Sequence, residues 1–145
     1  MDRFPRYIKP LDSSTDFEVV GGKGRSLAAM LRAGLPIPAG FHVTISAYQR
    51  FVEHNDIARA ILELATPVVV GARASFETPS TRVMKLFERG EIPSDIADEV
   101  ANAYAALDRD KVAVRSSANA EDLPNLSFAG QQETYLNVYL SLIHI

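Results

Sequence analysis

The stretch from Val112 to Val138 constrains this chain more than any other. It opens on Val112-Ala113-Val114, short and β-branched, which predicts a buried strand. Arg115 follows at once, then two hydroxyls, Ser116 and Ser117. Thr134–Val138 predicts a returning strand, so the stretch runs strand, arginine, loop, strand. An arginine at a strand end is held by rigid backbone, and its planar fork bonds phosphate oxygens bidentately with a charge that does not titrate. Within the loop, Ser127–Gln131 sets small residues around Gly130, where backbone N–H groups could come close to an anion. A solvated loop fits the same residues, with Gly130 serving a tight turn and Glu121 and Asp122 as solvated turn carboxylates. The residues alone leave both readings open.

A second stretch offers the same kind of chemistry. In Val19–Gly34, Leu27, Met30 and Leu31 recur at i, i+3, i+4, the apolar stripe of a helix, and Gly34 before Leu35-Pro36 stops it. Lys23 then sits among glycines at the mouth of that helix, where free N–H groups and the helix dipole favour an anion. The spacing is not that of a Walker A loop. An exposed lysine in a glycine turn fits equally well.

The remaining segments read as scaffold. Tyr7, Ile8 and Leu11 suggest a short strand, and Gly40–Thr44 a second. The second enters a helix capped by Thr44 or Ser46, with Ala47, Tyr48, Phe51 and Val52 on its apolar face. Ile57–Leu64 continues helically, Val68–Gly71 is a buried loop segment or short strand, and Ser80–Gly90 is helical. Pro93–Leu107 is the clearest helix, its core face Ile96, Val100, Ala103, Tyr104 and Leu107. His42 and His54 have no partner at ligand spacing and read as structural or surface groups. The expected class is α+β, a mixed sheet with flanking helices.

Three sequence runs carry a family resemblance. They are Val20-Gly-Gly-Lys-Gly-Arg-Ser-Leu27 with Ala33-Gly-Leu-Pro-Ile-Pro-Ala-Gly-Phe41, then Val114-Arg-Ser-Ser-Ala-Asn-Ala-Glu-Asp-Leu-Pro124, then Ser127-Phe-Ala-Gly-Gln-Gln-Glu-Thr134. In this order they resemble the nucleotide-binding domain of the phosphoenolpyruvate synthase (pyruvate, water dikinase) family, and rifamycin phosphotransferases are similar over the same region. The resemblance implies an ATP-grasp-like domain that holds ATP between two α+β halves. It implies that Lys23 and Arg115 act on the ATP phosphates, that Gly130 closes over them through its backbone, and that Thr134 lines the same site. The implied reaction passes the β-phosphoryl of ATP through a phosphohistidine to pyruvate, giving phosphoenolpyruvate, AMP and phosphate. A rifamycin phosphotransferase would use the same site with the antibiotic as acceptor, and Gly24 leans slightly that way. The family's Mg2+ ligands and phosphohistidine belong to later segments that this sequence does not contain.

The resemblance holds over residues 1–138. Tyr139–Ile145 departs from it, and Leu140–Ile145 is also what one frame of a common sequencing adapter encodes. The expectation is an N-terminal portion of the domain, truncated after Val138, with a non-native tail in which His144 has no role and no turnover by the portion alone. A stand-alone nucleotide-binding module without catalysis is the alternative of another class.

Composition limits the partners. With a net charge of −3 there is no general attraction to nucleic acid or anionic membrane, so a phosphate site must be local. No apolar run approaches the roughly 18 residues of a membrane span. The absence of cysteine removes disulfides and thiolate metal sites and fits a reducing compartment. These features point to a cytoplasmic chain.

Overall fold

The computed structural model describes residues 6–12, 16–71, 73–108, 111–117 and 134–140. The class is α+β, with five helices and six short strands among the described residues. The described strands pair as three separate antiparallel ribbons of two strands each, rather than as one mixed sheet. The chain divides into two compact units, residues 1–47 with 94–144, and residues 48–93.

In the first unit, β1 (Ile8–Pro10) pairs with β2 (Phe41–Val43) in the register Ile8↔Val43, Lys9↔His42 and Pro10↔Phe41. Pro10 ends the strand because it has no N–H to give. Helix α1 (Phe17–Arg32) begins at Asp16, whose carboxylate accepts the Glu18 N–H at 3.0 Å. Its core-facing row is Val20, Gly24 and Ala28, four residues apart and all buried. Leu27, Met30 and Leu31 are only half-buried, so the stripe is centred on smaller residues than their spacing predicts. Those small residues let β2 approach closely.

Helix α5 (Ser94–Ala106) buries Ile96 and Val100, as its periodicity predicts. Its Glu99 accepts two consecutive backbone donors, the Arg6 N–H at 3.0 Å and the Tyr7 N–H at 2.7 Å. The Tyr7 hydroxyl donates to Asp95 at 3.2 Å. A charged acceptor on paired N–H groups is a strong tie, and it fixes the entry to β1 against α5. Thr44 turns inward, its hydroxyl donating to the Arg6 carbonyl at 3.4 Å, and its own carbonyl receives the Ala47 N–H.

The last ribbon of this unit is β5 (Val112–Arg115) with β6 (Thr134–Val138). Val112 pairs with Val138, Val114 with Tyr135 and Arg115 with Thr134. One residue of β5, Ala113, therefore faces two of β6, Leu136 and Asn137, a β-bulge, and Asn137 takes up the extra residue at φ 56°. The bulge keeps Val112, Val114, Tyr135 and Val138 on one face and leaves Arg115 and Thr134 together on the other. The expectation of a buried β5 is not met: Val114 is 44% exposed and Tyr135 56%. A β-branched run shows that a strand forms, and what lies over it decides whether it is buried.

The second unit takes the rest of α2 (Ile45–His54), then α3 (Ala58–Leu64), the ribbon β3 (Val68–Val70) with β4 (Arg73–Ser75), and α4 (Glu77–Arg89). Tyr48 and Phe51 of α2 stack on Phe87 of α4, with ring centroids 5.9 and 5.5 Å away. Asn55 joins the end of α2 to the segment after α4: its amide donates to the Phe51 and Glu91 carbonyls and accepts the Glu91 N–H. Helix α4 starts at Glu77 rather than Ser80, because Pro79 falls in the first turn, where its missing N–H costs nothing. Val68 and Val69 form a strand and are exposed, not buried.

Candidate functional site

Helix α1 is not continuous. At Gly21 the backbone turns to φ 69°, ψ −179°, a conformation essentially confined to glycine, and the helix resumes at once. In an unbroken helix the Gly24 N–H would donate to the Val20 carbonyl. Here the Ser117 hydroxyl stands in that rung: it accepts the Gly24 N–H at 3.2 Å and donates to the Val20 carbonyl at 2.8 Å. A side chain inserted into the helical ladder is a recognised cause of a kink, and this one comes from the segment just beyond β5. The approach is close enough that a Cβ on Gly21 would lie 2.5 Å from Ser117 Oγ and 3.0 Å from its carbonyl carbon. Gly21 therefore meets two demands, a left-handed φ and the absence of a side chain.

The consequence is a junction of the two stretches singled out in the sequence. Lys23 directly precedes Gly24 and is half-buried, while Arg115 lies two residues before Ser117 and is exposed. The Gly24–Ser117 bond brings their backbones together across 93 positions of sequence. Thr134 lies across the ribbon from Arg115, as its register partner. Gly130, together with Glu121, Asp122 and the rest of the small-residue loop, lies outside the described residues, as does His144.

Sequence reasoning passed over two participants. Ser117 stood out only as a hydroxyl after an arginine, and its partner, the Val20 carbonyl, has no sequence signal at all. His42 read as structural, and it is buried at 8% exposure, but its place matters. Its Nε2 lies 3.4 Å from the Leu11 carbonyl, and its Cε1 would stand 3.2 Å from a Cβ on Gly24. The ring is the floor beneath the glycine run. Burial pushes the imidazole below its ordinary 6.5, with the Leu11 carbonyl pulling partly back.

Glycine-rich backbone at a resumed helix start, a lysine within it and an arginine on the adjoining strand are a donor set suited to phosphate oxygens. The set contains no general base or nucleophile. Among the described residues no group of three or more His, Asp or Glu could hold a metal ion. No described helix is long and apolar enough to cross a membrane.

Comparison with known proteins agrees with this chemistry. Residues 17–141 match the family described as pyruvate phosphate dikinase, AMP/ATP-binding domain. The chain is 42% identical over 141 residues to a probable phosphoenolpyruvate synthase of Methanocaldococcus jannaschii, covering 92% of the chain and 12% of that protein. It is 43% identical over 127 residues to the phosphoenolpyruvate synthase of Aeropyrum pernix, covering 83% of the chain and 16% of that protein. To a rifampicin phosphotransferase of Streptomyces sviceus it is 41% identical over 139 residues, covering 94% and 16%. The chain thus spans less than a quarter of the length of these relatives. With both glycine-lysine and Val-Arg-Ser-Ser runs inside the matched region, the chain belongs to the pyruvate phosphate dikinase AMP/ATP-binding domain family.

Proposed function

We propose that this chain is the ATP-binding part of a dikinase that transfers the β-phosphoryl of ATP through a phosphohistidine to pyruvate, releasing AMP and phosphate. The observation that carries the reading is the Ser117 bridge, which seats the glycine run carrying Lys23 against the strand end carrying Arg115. In this reading Lys23 and Arg115 hold the ATP phosphates, Arg115 as a bidentate fork and Lys23 as a point charge. Thr134 lines the same face, and Gly130 closes over the phosphates through its backbone. In this reading the chain is part of an ATP-grasp-like domain. Charge on a transferring phosphoryl group is commonly shared with Mg2+. The part of Lys23 and Arg115 in this reading is to bind and orient the nucleotide. The acceptor histidine and the pyruvate site belong to other parts of a longer protein.

A second reading, a rifampicin phosphotransferase, is favoured by the Streptomyces sviceus relative, whose identity is within a few per cent of that of the synthases. Both readings place the same chemistry on Lys23 and Arg115 and differ only in the acceptor. The test is AMP formation from ATP by the full-length protein, with pyruvate or rifampicin as acceptor. Lys23→Ala and Arg115→Ala should each lower the rate about a hundredfold, the usual cost of one lost charge-assisted contact in a preorganised site, ~3 kcal/mol. Arg115→Lys should recover little of it, because an ammonium cannot reproduce the fork. A normal rate in the Arg115→Ala protein would remove Arg115 from the site.

A further inference from the structure

We propose that His42 is a titratable positioning residue of the glycine run, taking up a proton when a polyphosphate settles on Gly22–Gly24. The proposal rests on the phosphate-site reading above and adds to it a proton linkage. His42 is buried, and its Cε1 edge is turned to Gly24, whose N–H is already committed to Ser117. Gly24 can only be this close because it has no side chain. A Cβ there would stand 2.8 Å from Val20 Cβ and 3.2 Å from the imidazole. The ring and the Val20 side chain together lie against the loop at Gly24.

The charged groups on the elements around the ring are of both signs. Lys9 is its register partner across the β1–β2 ribbon. On α1, Lys23 and Arg25 flank Gly24, and Arg115 lies two residues before the Ser117 that bonds Gly24. Arg32 of α1 adds a further cation, its guanidinium donating to the Asp12 carbonyl, and the carboxylates on these elements are Asp12, beside the Leu11 whose carbonyl faces Nε2, Asp16 and Glu18 at the start of α1, and Asp95 and Glu99 of α5, which hold Tyr7 and Arg6. β2 itself contributes no other ionisable group. Without ligand, burial opposes an imidazolium, and the Leu11 carbonyl pulls only partly back. A polyphosphate on the loop reverses the balance, because it places several negative charges beside the ring. At an effective dielectric near 20, even one charge about 8 Å away moves a titration by roughly 1.5 units. Linkage is reciprocal: if the anion favours the proton, the proton favours the anion by the same factor.

The two consequences of acid then have opposite signs. Folding becomes less favourable as pH falls below 6.5, because the unfolded chain takes a proton that the ligand-free fold resists. Anion binding becomes more favourable over the same range. A histidine with a merely structural role would give the first effect without the second.

The experiment measures ATP affinity of the full-length protein from pH 8 to pH 5.5, beside His42→Phe and His42→Gln. Comparison with the variants cancels the titration of ATP itself. The wild-type affinity should gain about 5- to 10-fold on the variants toward the acid end. In wild-type protein labelled with 13C-histidine, the His42 midpoint should rise by about one unit or more when ATP is added, a reading that stands even where the variants do not fold. Parallel affinity profiles, or a His42 midpoint that ATP leaves in place, would overturn the proposal while the phosphate site remains. A Lys23→Ala protein that binds ATP as the wild type does would instead remove the phosphate site, and this proposal with it.

Discussion

Ser117 does in one side chain what a helix normally does with its own backbone, and removing the hydroxyl should show it. Ser117→Ala leaves the Val20 carbonyl and the Gly24 N–H without their bridging partner, next to a glycine whose φ 69° prevents the regular rung from re-forming. Urea unfolding should register a loss of about 1–3 kcal/mol, at the lower end because the site is part-buried. A loss under a few tenths would mean that water replaces the hydroxyl freely. His42 gives a second residue-scale expectation. Its folded imidazole titrates below 6.5, so its contribution to stability is fully present above pH 6.5 and is lost as pH falls toward the folded value. Denaturation midpoints measured without ligand should fall on acidification across that window, and His42→Gln should flatten that part of the profile.

At the scale of elements, the sequence located most helices and strands but not their surroundings. α5 and β6 stand where Pro93–Leu107 and Thr134–Val138 predict them, because capping residues and β-branched or aromatic runs are local signals. The start of α4 moved because Pro79, a breaker in a helix interior, is harmless in a first turn. The break in α1 was not legible: Gly21-Gly22 allows a kink, but the hydroxyl that holds it open comes from Ser117, 97 residues beyond Val20. The bulge in β6 escaped for a similar reason, since Asn137 fits an ordinary strand position until the register with β5 is known. It now carries a prediction. Asn137 sits at φ 56°, so Asn137→Gly should be tolerated or mildly stabilising, whereas Asn137→Val should cost about 1–2 kcal/mol in thermal unfolding. Equal effects would mean that the bulge moves along β6 rather than staying at Asn137.

For the whole molecule, the family was more legible than the architecture. Lys23 and Arg115 carry chemistry that residue types announce, cations beside small residues, and their motifs lie within the matched family region. That their two stretches meet could not be read from either alone, because it depends on the Gly24–Ser117 bond joining distant parts of the chain. The central claim is that this junction is one anion site and not two separate cationic loops. Calorimetric titration of the full-length protein with ATP, on wild type and on Lys23→Ala, Arg115→Ala and the double variant, tests it most directly. The account predicts that each single change weakens ATP binding at least tenfold, with the double variant binding more weakly still. Wild-type affinity in either single variant would contradict it.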